Sequence, residues 1–252
     1  MASITRRTFI KLAGASAATL KTADAAVPTT SAAASTTTSA RATRTAFLFF
    51  NPQEAALVTA AVARLIPTDD AGPGAAEADV VGYIDRQLAG AWGAGERLYR
   101  SGPWQQGAPS QGYQLPFTPA ELFRHALRPL HERVVRDRGK PFDQLAPADQ
   151  DAVLQALEKS TEDLGGVPGA TFFSSLLEMT IEGFFSDPVY GGNRDMVAWR
   201  MIGFPGAYAN YYDLVDQHNV AFVREPASLA DDVRGHVHVA PHIPVRASAK
   251  GK

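Results

Sequence analysis

The residues with the clearest potential for chemistry in this sequence are two carboxylates on one apolar stretch. Glu178 and Glu182 lie four positions apart, so a helix over residues 169–185 would present both on the same face. Two carboxylates beside a cleft can act as general acid and general base. Such pairs more often bind a nearby arginine or backbone group, so the spacing alone favours a structural role over a catalytic one.

Three histidines near the C-terminus form a second candidate cluster. His236 and His238 occupy alternate positions and His242 follows closely, and imidazoles spaced in this way can chelate a metal ion. The surrounding tail contains several prolines and is expected to be extended, without a fixed carboxylate ligand nearby. We therefore favour a tail that is solvated or packed on a partner over a metal site.

Two other groups have spacings that fit no common metal site. His125 and His131 are six positions apart on one predicted helix, so we expect them to face different sides of it. Asp69 and Asp70 lie in a loop of glycines and prolines, but their spacing is not that of an EF-hand. Neither pair is predicted to bind a metal ion.

The common cofactor and nucleophile motifs are missing from the sequence. The glycine-rich stretch 165–171 lacks the Gly-Lys-Ser/Thr of a P-loop, and no Gly-x-Gly-x-x-Gly or Gly-x-Ser-x-Gly motif is present. The absence of cysteine excludes a cysteine nucleophile, disulfides and covalently attached haem c. The net charge of -2 gives no indication of a nucleic-acid partner. We therefore predict no catalytic residue, no bound cofactor and no metal site in this chain.

The spacing of apolar residues predicts an all-α protein, a compact bundle of about seven helices with long loops rich in glycine and proline. Residues 90–117 are expected to be partly helical and partly a packed loop, and Pro129 to kink or break its helix. The predicted helices cover residues 52–66, 76–89, 118–138, 147–159, 169–185, 195–201 and 207–217.

The first 25 residues have the three parts of a signal peptide: a basic start, a weakly apolar stretch and small residues that predict cleavage near Ala25. The start resembles the twin-arginine export motif, which implies that a twin-arginine translocase exports the folded chain to the periplasm. The alternative is an ordinary secretory signal that happens to contain two arginines. The residues that carry the resemblance are Arg6, Arg7, Phe9 and Lys11.

Composition divides the rest of the chain into three parts. Residues 26–46 are small and polar and cannot bury enough apolar surface to fold, which predicts a disordered linker. Residues 47–224 are predicted to form the helical domain, and residues 225–252 an extended tail. No run of 18 or more apolar residues is present, so no permanent membrane span is predicted.

Residues 186–206, called the 186–206 segment below, combine loop-forming residues with residues that are common in protein interfaces. Glycines and prolines predict a loop, and aromatic and arginine side chains on such a loop are typical of interface hot spots. The alternative is that Trp199 and Phe204 simply cap the core of this domain. The candidate partner-binding residues are Tyr190, Asn193, Arg194, Trp199, Arg200, Phe204 and Pro205.

The same segment resembles the signature of the gluconate 2-dehydrogenase subunit 3 family, through Asp-Pro-x-Tyr-Gly-Gly-Asn at 187–193 and Trp-x-x-Ile-Gly-Phe-Pro-Gly at 199–206. Supporting similarity lies in Phe50-Asn-Pro-Gln-Glu54, Tyr83-Ile-Asp85 and Thr180-Ile-Glu-Gly-Phe-Phe185. The resemblance covers about residues 47–212.

The resemblance implies a non-catalytic small subunit of a membrane-associated periplasmic dehydrogenase for a sugar, sugar acid or polyol. In such complexes a large flavin subunit holds FAD, and a multihaem cytochrome c subunit holds haem c. The small subunit is expected to escort the flavin subunit through the twin-arginine route. This expectation agrees with an export signal for a folded protein on a chain without a cofactor motif.

Two other functions are left open by the residues themselves. One is a stand-alone periplasmic hydrolase or lyase that uses Glu178, Glu182 or the histidines of the tail. The other is a ligand-binding protein. The sequence does not identify the substrate of a complex, because substrate contacts would lie on another chain.

Overall fold

In the described part of the chain, six α-helices form where the sequence places apolar residues at helical spacing. The computed structural model describes residues 46–96, 98–105, 107–207, 215–219 and 224–229. Across these residues it contains isolated β-bridges but no β-strand, which confirms the all-α class for the described part of the chain. The helices are α1 (Pro52–Leu65), α2 (Val80–Ala89), α3 (Pro119–Arg138), α4 (Pro147–Glu158), α5 (Gly169–Phe185) and α6 (Val197–Ile202).

Reciprocal caps set the start of two helices. In α1 the Asn51 side chain accepts from the Glu54 N–H at 2.9 Å, and the Glu54 carboxylate accepts from the Asn51 N–H at 3.0 Å. Thr118 and Glu121 form the same box at the start of α3. In each box the capping residue is followed directly by a proline in the first turn, where a missing N–H costs nothing.

Helix α3 continues through Pro129 instead of breaking there. A proline removes the hydrogen bond to the carbonyl four residues earlier, which here is that of His125. Gly165 lies against this carbonyl with a φ of +69°, and a Cβ at position 165 would come within 2.8 Å of the oxygen. The close approach of the loop before α5 therefore requires glycine, and it covers the part of α3 that the proline leaves unpaired.

Helix α5 is the centre of the domain, as its nearly uniform apolar sequence predicts. It packs against α1, α2, α3, α4 and α6. The rings of Phe172 and Phe123 meet edge to face, with centroids 5.3 Å apart. The buried residues of α5 are Gly169, Phe172, Phe173, Leu176, Leu177, Met179, Thr180, Gly183 and Phe184.

Ahead of α1, the backbone of residues 48–50 is held by a buried carboxylate from α2. Asp85 accepts hydrogen bonds from the N–H groups of Leu48, Phe49 and Phe50 at 2.8–3.0 Å. The guanidinium of Arg124 lies 4.1 Å from the Phe49 ring centroid and donates to the Phe49 carbonyl at 2.7 Å. We call residues 48–50, with Asp85 and Arg124, the N-terminal anchor.

The observed helices differ from the predicted ones at three places. Helix α2 starts at Val80 instead of residue 76, because residues 75–79 form turns and Asp79 has a left-handed φ of +56°. The short helix predicted over 195–201 is a 3-10 turn followed by α6. The described residues of 90–117 contain turns and a 3-10 turn but no α-helix. The helix predicted over 207–217 falls mostly on residues 208–214, which lie outside the described part.

Several sequence predictions concern residues outside the described part of the chain. These are the signal peptide, the linker up to residue 45, and the tail from residue 230 with His236, His238 and His242. The export-signal residues Arg6, Arg7, Phe9 and Lys11 are among them. Among the described helices, none has the length and apolar character needed to cross a bilayer.

Candidate partner-binding surface

The 186–206 segment has a tightly folded backbone rather than an open loop. Two 3-10 turns, at Pro188–Tyr190 and Arg194–Met196, lead from the end of α5 into α6. Asn193, Asp195 and Met196 all have positive φ, which is costly for residues with a side chain. A backbone of this kind persists only where the surrounding contacts hold it in place.

Asn193 supplies much of that support from inside the segment. Its side chain is fully buried, donates to the Ser186 carbonyl at 2.9 Å and accepts from the Ala198 N–H at 2.9 Å. Asn193 was predicted to contact a partner, and the structure instead places its side chain in the interior of the segment. Its role in the structure is to fix the turn that presents the neighbouring side chains.

Trp199 and Phe204 have different environments although they touch each other. The indole of Trp199 is buried and donates to the Phe185 carbonyl at 2.8 Å, so this residue closes the core at the end of α5. The Phe204 ring meets the indole edge to face at 5.2 Å and is 45% exposed. The sequence alternatives therefore divide between the two residues: Trp199 packs inward, and Phe204 faces solvent.

The two arginines of the segment are about half exposed and each has an acidic neighbour. The guanidinium of Arg194 lies 2.5 Å from the Asp79 carboxylate, and the backbone N–H of Arg194 donates to the Ala78 carbonyl at 3.1 Å. Arg200 lies 3.4 Å from Glu225 and also donates to the Asp195 carbonyl. Both charges remain accessible at the surface while tying the segment to its surroundings.

The segment carries an unusual share of exposed apolar surface. Ten large apolar side chains are exposed in the described part of the chain, and four of them lie within these 21 residues. The sequence pattern identified the two aromatic residues of the four but not Val189 and Ile202, because aliphatic side chains in a short turn and at the end of a short helix are not in themselves typical of an interface. Pro205 is half-buried. The four exposed side chains are Val189, Tyr190, Ile202 and Phe204.

The carboxylates Glu178 and Glu182 lie close together on α5, as their spacing predicts. Burial raises the pKa of Glu182, and the charge of Glu178 adds to the rise. The hydroxyl of Tyr83 donates to Glu182 at 3.3 Å, and burial raises the pKa of Tyr83 to about 12. The chemistry open to this group is proton transfer at Glu182, but neither carboxylate lines the cleft described next.

An open cleft of about 800 Å³ lies between the start of α1 and the middle of α3. His125 and His131, expected on different sides of α3, both border it, because six residues leave them only about 120° apart around the helix. His131 pairs with Gln53, and His125 Nδ1 lies 3.0 Å from the Gly165 carbonyl. Both imidazoles are thus bound to other parts of the domain.

The charged groups of this cleft are also paired with each other. Arg124 lies 2.5 Å from the Glu54 carboxylate, and Arg128 lies 2.8 Å from that of Glu132. Opposite charges therefore compensate within the cleft, which weakens its attraction for a charged ligand. Among the described residues, no group of three or more His, Asp or Glu side chains is arranged to hold a metal ion.

A family model matches the part of the chain that contains this segment. The family model described as gluconate 2-dehydrogenase subunit 3 matches residues 52–206, which is more than half of the chain. The chain therefore belongs to that family. The matched range includes the whole 186–206 segment. No curated protein and no solved structure matches the chain.

Proposed function

We propose that this member of the gluconate 2-dehydrogenase subunit 3 family is a non-catalytic small subunit of a periplasmic, membrane-associated sugar or sugar-acid dehydrogenase. It binds the flavin-containing large subunit and escorts it through the twin-arginine translocase, after which the signal peptide is removed near Ala25. FAD and haem c belong to the partners, the flavin subunit and a multihaem cytochrome c subunit. The exposed apolar surface of the 186–206 segment carries this proposal.

The physical argument starts from the contrast between a firm backbone and an exposed apolar surface. Asn193 and Trp199 hold the segment from inside, so the exposure of Tyr190, Ile202 and Phe204 does not arise from a loose loop. Grouped apolar and aromatic side chains at a surface are typical of protein–protein interfaces. A chain whose family is that of a dehydrogenase subunit has other subunits as the natural partners for this surface.

The N-terminal sequence supplies the second half of the proposal. The Arg6-Arg7 pair, with Phe9 and Lys11, resembles a signal for proteins that cross the membrane folded. A flavoprotein that folds around its cofactor in the cytoplasm and has no signal of its own needs such a carrier. Binding through the 186–206 segment would connect that flavoprotein to the signal peptide.

The escort role is tested by replacing both arginines of the signal conservatively. We expect the double variant Arg6→Lys with Arg7→Lys to retain the flavin subunit in the cytoplasm, measured by immunoblotting of cell fractions and by periplasmic dehydrogenase activity. The matched control is Arg41→Lys with Arg44→Lys, in the predicted linker, which should leave export unchanged. Normal periplasmic activity in the Arg6/Arg7 variant would refute the escort role.

The binding role is tested on the purified complex. Tyr190→Ala with Phe204→Ala should prevent co-purification of the flavin subunit, because both exposed rings are removed while the buried framework is kept. Tyr99→Ala is the control, since Tyr99 is also an exposed aromatic residue but lies outside the segment. Equal recovery of the flavin subunit with the wild type, the double variant and the Tyr99→Ala control would contradict the proposed surface.

A further inference from the structure

We infer that the C-terminal segment, residues 224–229, forms part of the surface that binds the flavin subunit, so that this surface extends beyond the family-matched residues 52–206. The inference rests on the proposed function, because it takes the flavin subunit as the partner. Three observations support it: backbone pairing with the 186–206 segment, a shared carboxylate, and an exposed leucine whose N–H donates to that carboxylate.

The backbone pairing joins the C-terminal segment to the end of the 186–206 segment. The Ala207 N–H donates to the Ala227 carbonyl at 2.7 Å, and the Ala227 N–H donates to the Pro205 carbonyl at 3.2 Å. Gly206 sits between them with a φ of +73°, and a Cβ there would come within 2.2 Å of the Ala227 oxygen and 2.7 Å of the Trp199 ring. Gly206 thus lets the C-terminal segment approach Trp199, the residue on which Phe204 packs.

One carboxylate connects the C-terminal segment to the first turn of the 186–206 segment. Asp187 Oδ1 accepts from the Val189 N–H at 2.9 Å and from the Ser228 hydroxyl at 2.6 Å. Asp187 Oδ2 accepts from the Leu229 N–H at 2.9 Å. Ser228 is buried, so this connection is part of the packed structure rather than a surface contact. The turn that carries Val189 and Tyr190 and the residue Leu229 are therefore fixed to the same side chain.

The exposed side chains of the two segments consequently form one composite surface. Leu229 is 45% exposed and Val189 is 44% exposed, and the backbone N–H groups of both donate to Asp187. Arg200 and Glu225 bridge the two segments at the edge, 3.4 Å apart. An apolar centre with charged groups at its margin is the arrangement found in interfaces between folded proteins. The occupant that fits this chemistry is a folded subunit with an apolar pocket, which is the flavin subunit of the proposed complex.

The decisive measurement is the dissociation constant of the purified, full-length subunits for each other. Leu229→Ala should weaken binding about 5- to 30-fold, as expected for removal of a hot-spot side chain. Ser228→Ala keeps Leu229 but removes the hydrogen bond of the Ser228 hydroxyl to Asp187. We expect it to weaken binding about two- to fivefold. Val215→Ala is the control, because Val215 is 64% exposed and lies outside both segments. Each variant is first checked for an unchanged thermal midpoint.

The variant Phe204→Ala separates failure of this inference from failure of the proposed function. If Phe204→Ala weakens binding while Leu229→Ala and Ser228→Ala do not, the composite surface is overturned and the proposed function stands. If none of the three weakens binding, the proposed function fails and the inference with it. If Leu229→Ala affects only self-association of the isolated chain, seen by light scattering, the partner is a second copy and the inference is overturned.

Discussion

The N-terminal anchor and the 186–206 segment both contain irregular backbone that is fixed to helix α2 or to the turn before it. They differ in how far their aromatic side chains are buried. In the anchor, Asp85 holds three consecutive N–H groups, and Phe50 is buried against the core. In the 186–206 segment, Asn193 holds the backbone equally from inside, but Tyr190 and Phe204 remain about half exposed.

This difference shows that a loop held by buried hydrogen bonds can have either of two roles. Buried polar side chains that hold backbone groups stabilise a loop in either case. In the anchor the fixed backbone turns the Phe50 ring into the core, although Leu48 stays exposed. In the 186–206 segment the fixed backbone keeps apolar side chains in contact with water, which a domain gains nothing from unless something else covers them. Exposure on a firm framework is therefore better evidence for a binding surface than exposure on a loose one.

The largest effect is expected in the anchor. Asp85→Ala should lower the free energy of unfolding by about 3–4 kcal/mol, because three backbone donors lose their acceptor in a buried site. Urea denaturation followed by circular dichroism measures this loss. Asp137→Ala, an exposed aspartate at the end of α3, should change stability by less than about 0.5 kcal/mol. Equal stabilities of the two variants would show that the hydrogen bonds of Asp85 do not stabilise the anchor.

The framework of the 186–206 segment should be the next most sensitive site. Asn193→Ala is expected to cost about 2–3 kcal/mol, because it removes two buried hydrogen bonds and places alanine at a φ of +38°. Asn193→Gly removes the same bonds without the backbone strain and should cost about 1 kcal/mol less. If both glycine and alanine variants unfold like the wild type, the segment is not held from inside and the contrast with a loose loop disappears.

A smaller effect is expected where the 186–206 segment meets the turn before α2. Arg194→Met should cost about 0.5–1 kcal/mol, because it removes an ion pair with Asp79 that is only partly exposed. Arg128→Met removes a more exposed pair within one helix and should cost less. Thermal unfolding at low and high salt distinguishes the two, and a larger loss for Arg128→Met would show that the segment gains nothing from this connection.

The smallest effect concerns Glu182, at the end of α5 just before the segment. Because burial raises its pKa in the folded state, the stability it contributes is present below the pKa of the unfolded chain and is lost as pH rises through the folded pKa. Glu182→Gln should therefore be slightly more stable than the wild type at neutral pH, and this advantage should vanish in acid. Urea midpoints at pH 7 and at about pH 4 test the sign. A destabilised variant at neutral pH would contradict it.

Local signals explain how much of the fold could be predicted from the sequence. The start of α1 at Asn51-Pro52 and that of α3 at Thr118-Pro119 depend on neighbouring residues alone, and both were predicted correctly. The end of α3 at Arg138 follows from Gly139, which has a left-handed φ of +72°. The approach of Gly165 to the His125 carbonyl, beside Pro129, joins residues far apart in the chain, so no local signal could reveal it.

The sequence singles out the 186–206 segment, but it does not reveal the structural roles of the residues in it. Glycines, arginines and aromatics indicated the 186–206 segment, but the sequence could not distinguish a side chain that supports the loop from one that faces solvent. Asn193 belongs to the first kind and Phe204 to the second. The role of Asp85 was missed for the same reason, because its three donors lie 35–37 residues earlier in the chain.

The N-terminal anchor also has a mechanical consequence. In the proposed export, a force that pulls on the signal peptide reaches the folded domain at Phe47. This residue comes immediately before the three N–H groups held by Asp85. These bonds share one acceptor group on α2, so the load passes directly to the interior of the bundle rather than peeling α1 from its first turn. Arg124, bound to the Phe49 carbonyl and to Glu54, links the same point to α3. The domain is thus reinforced where a pulling force would first reach it.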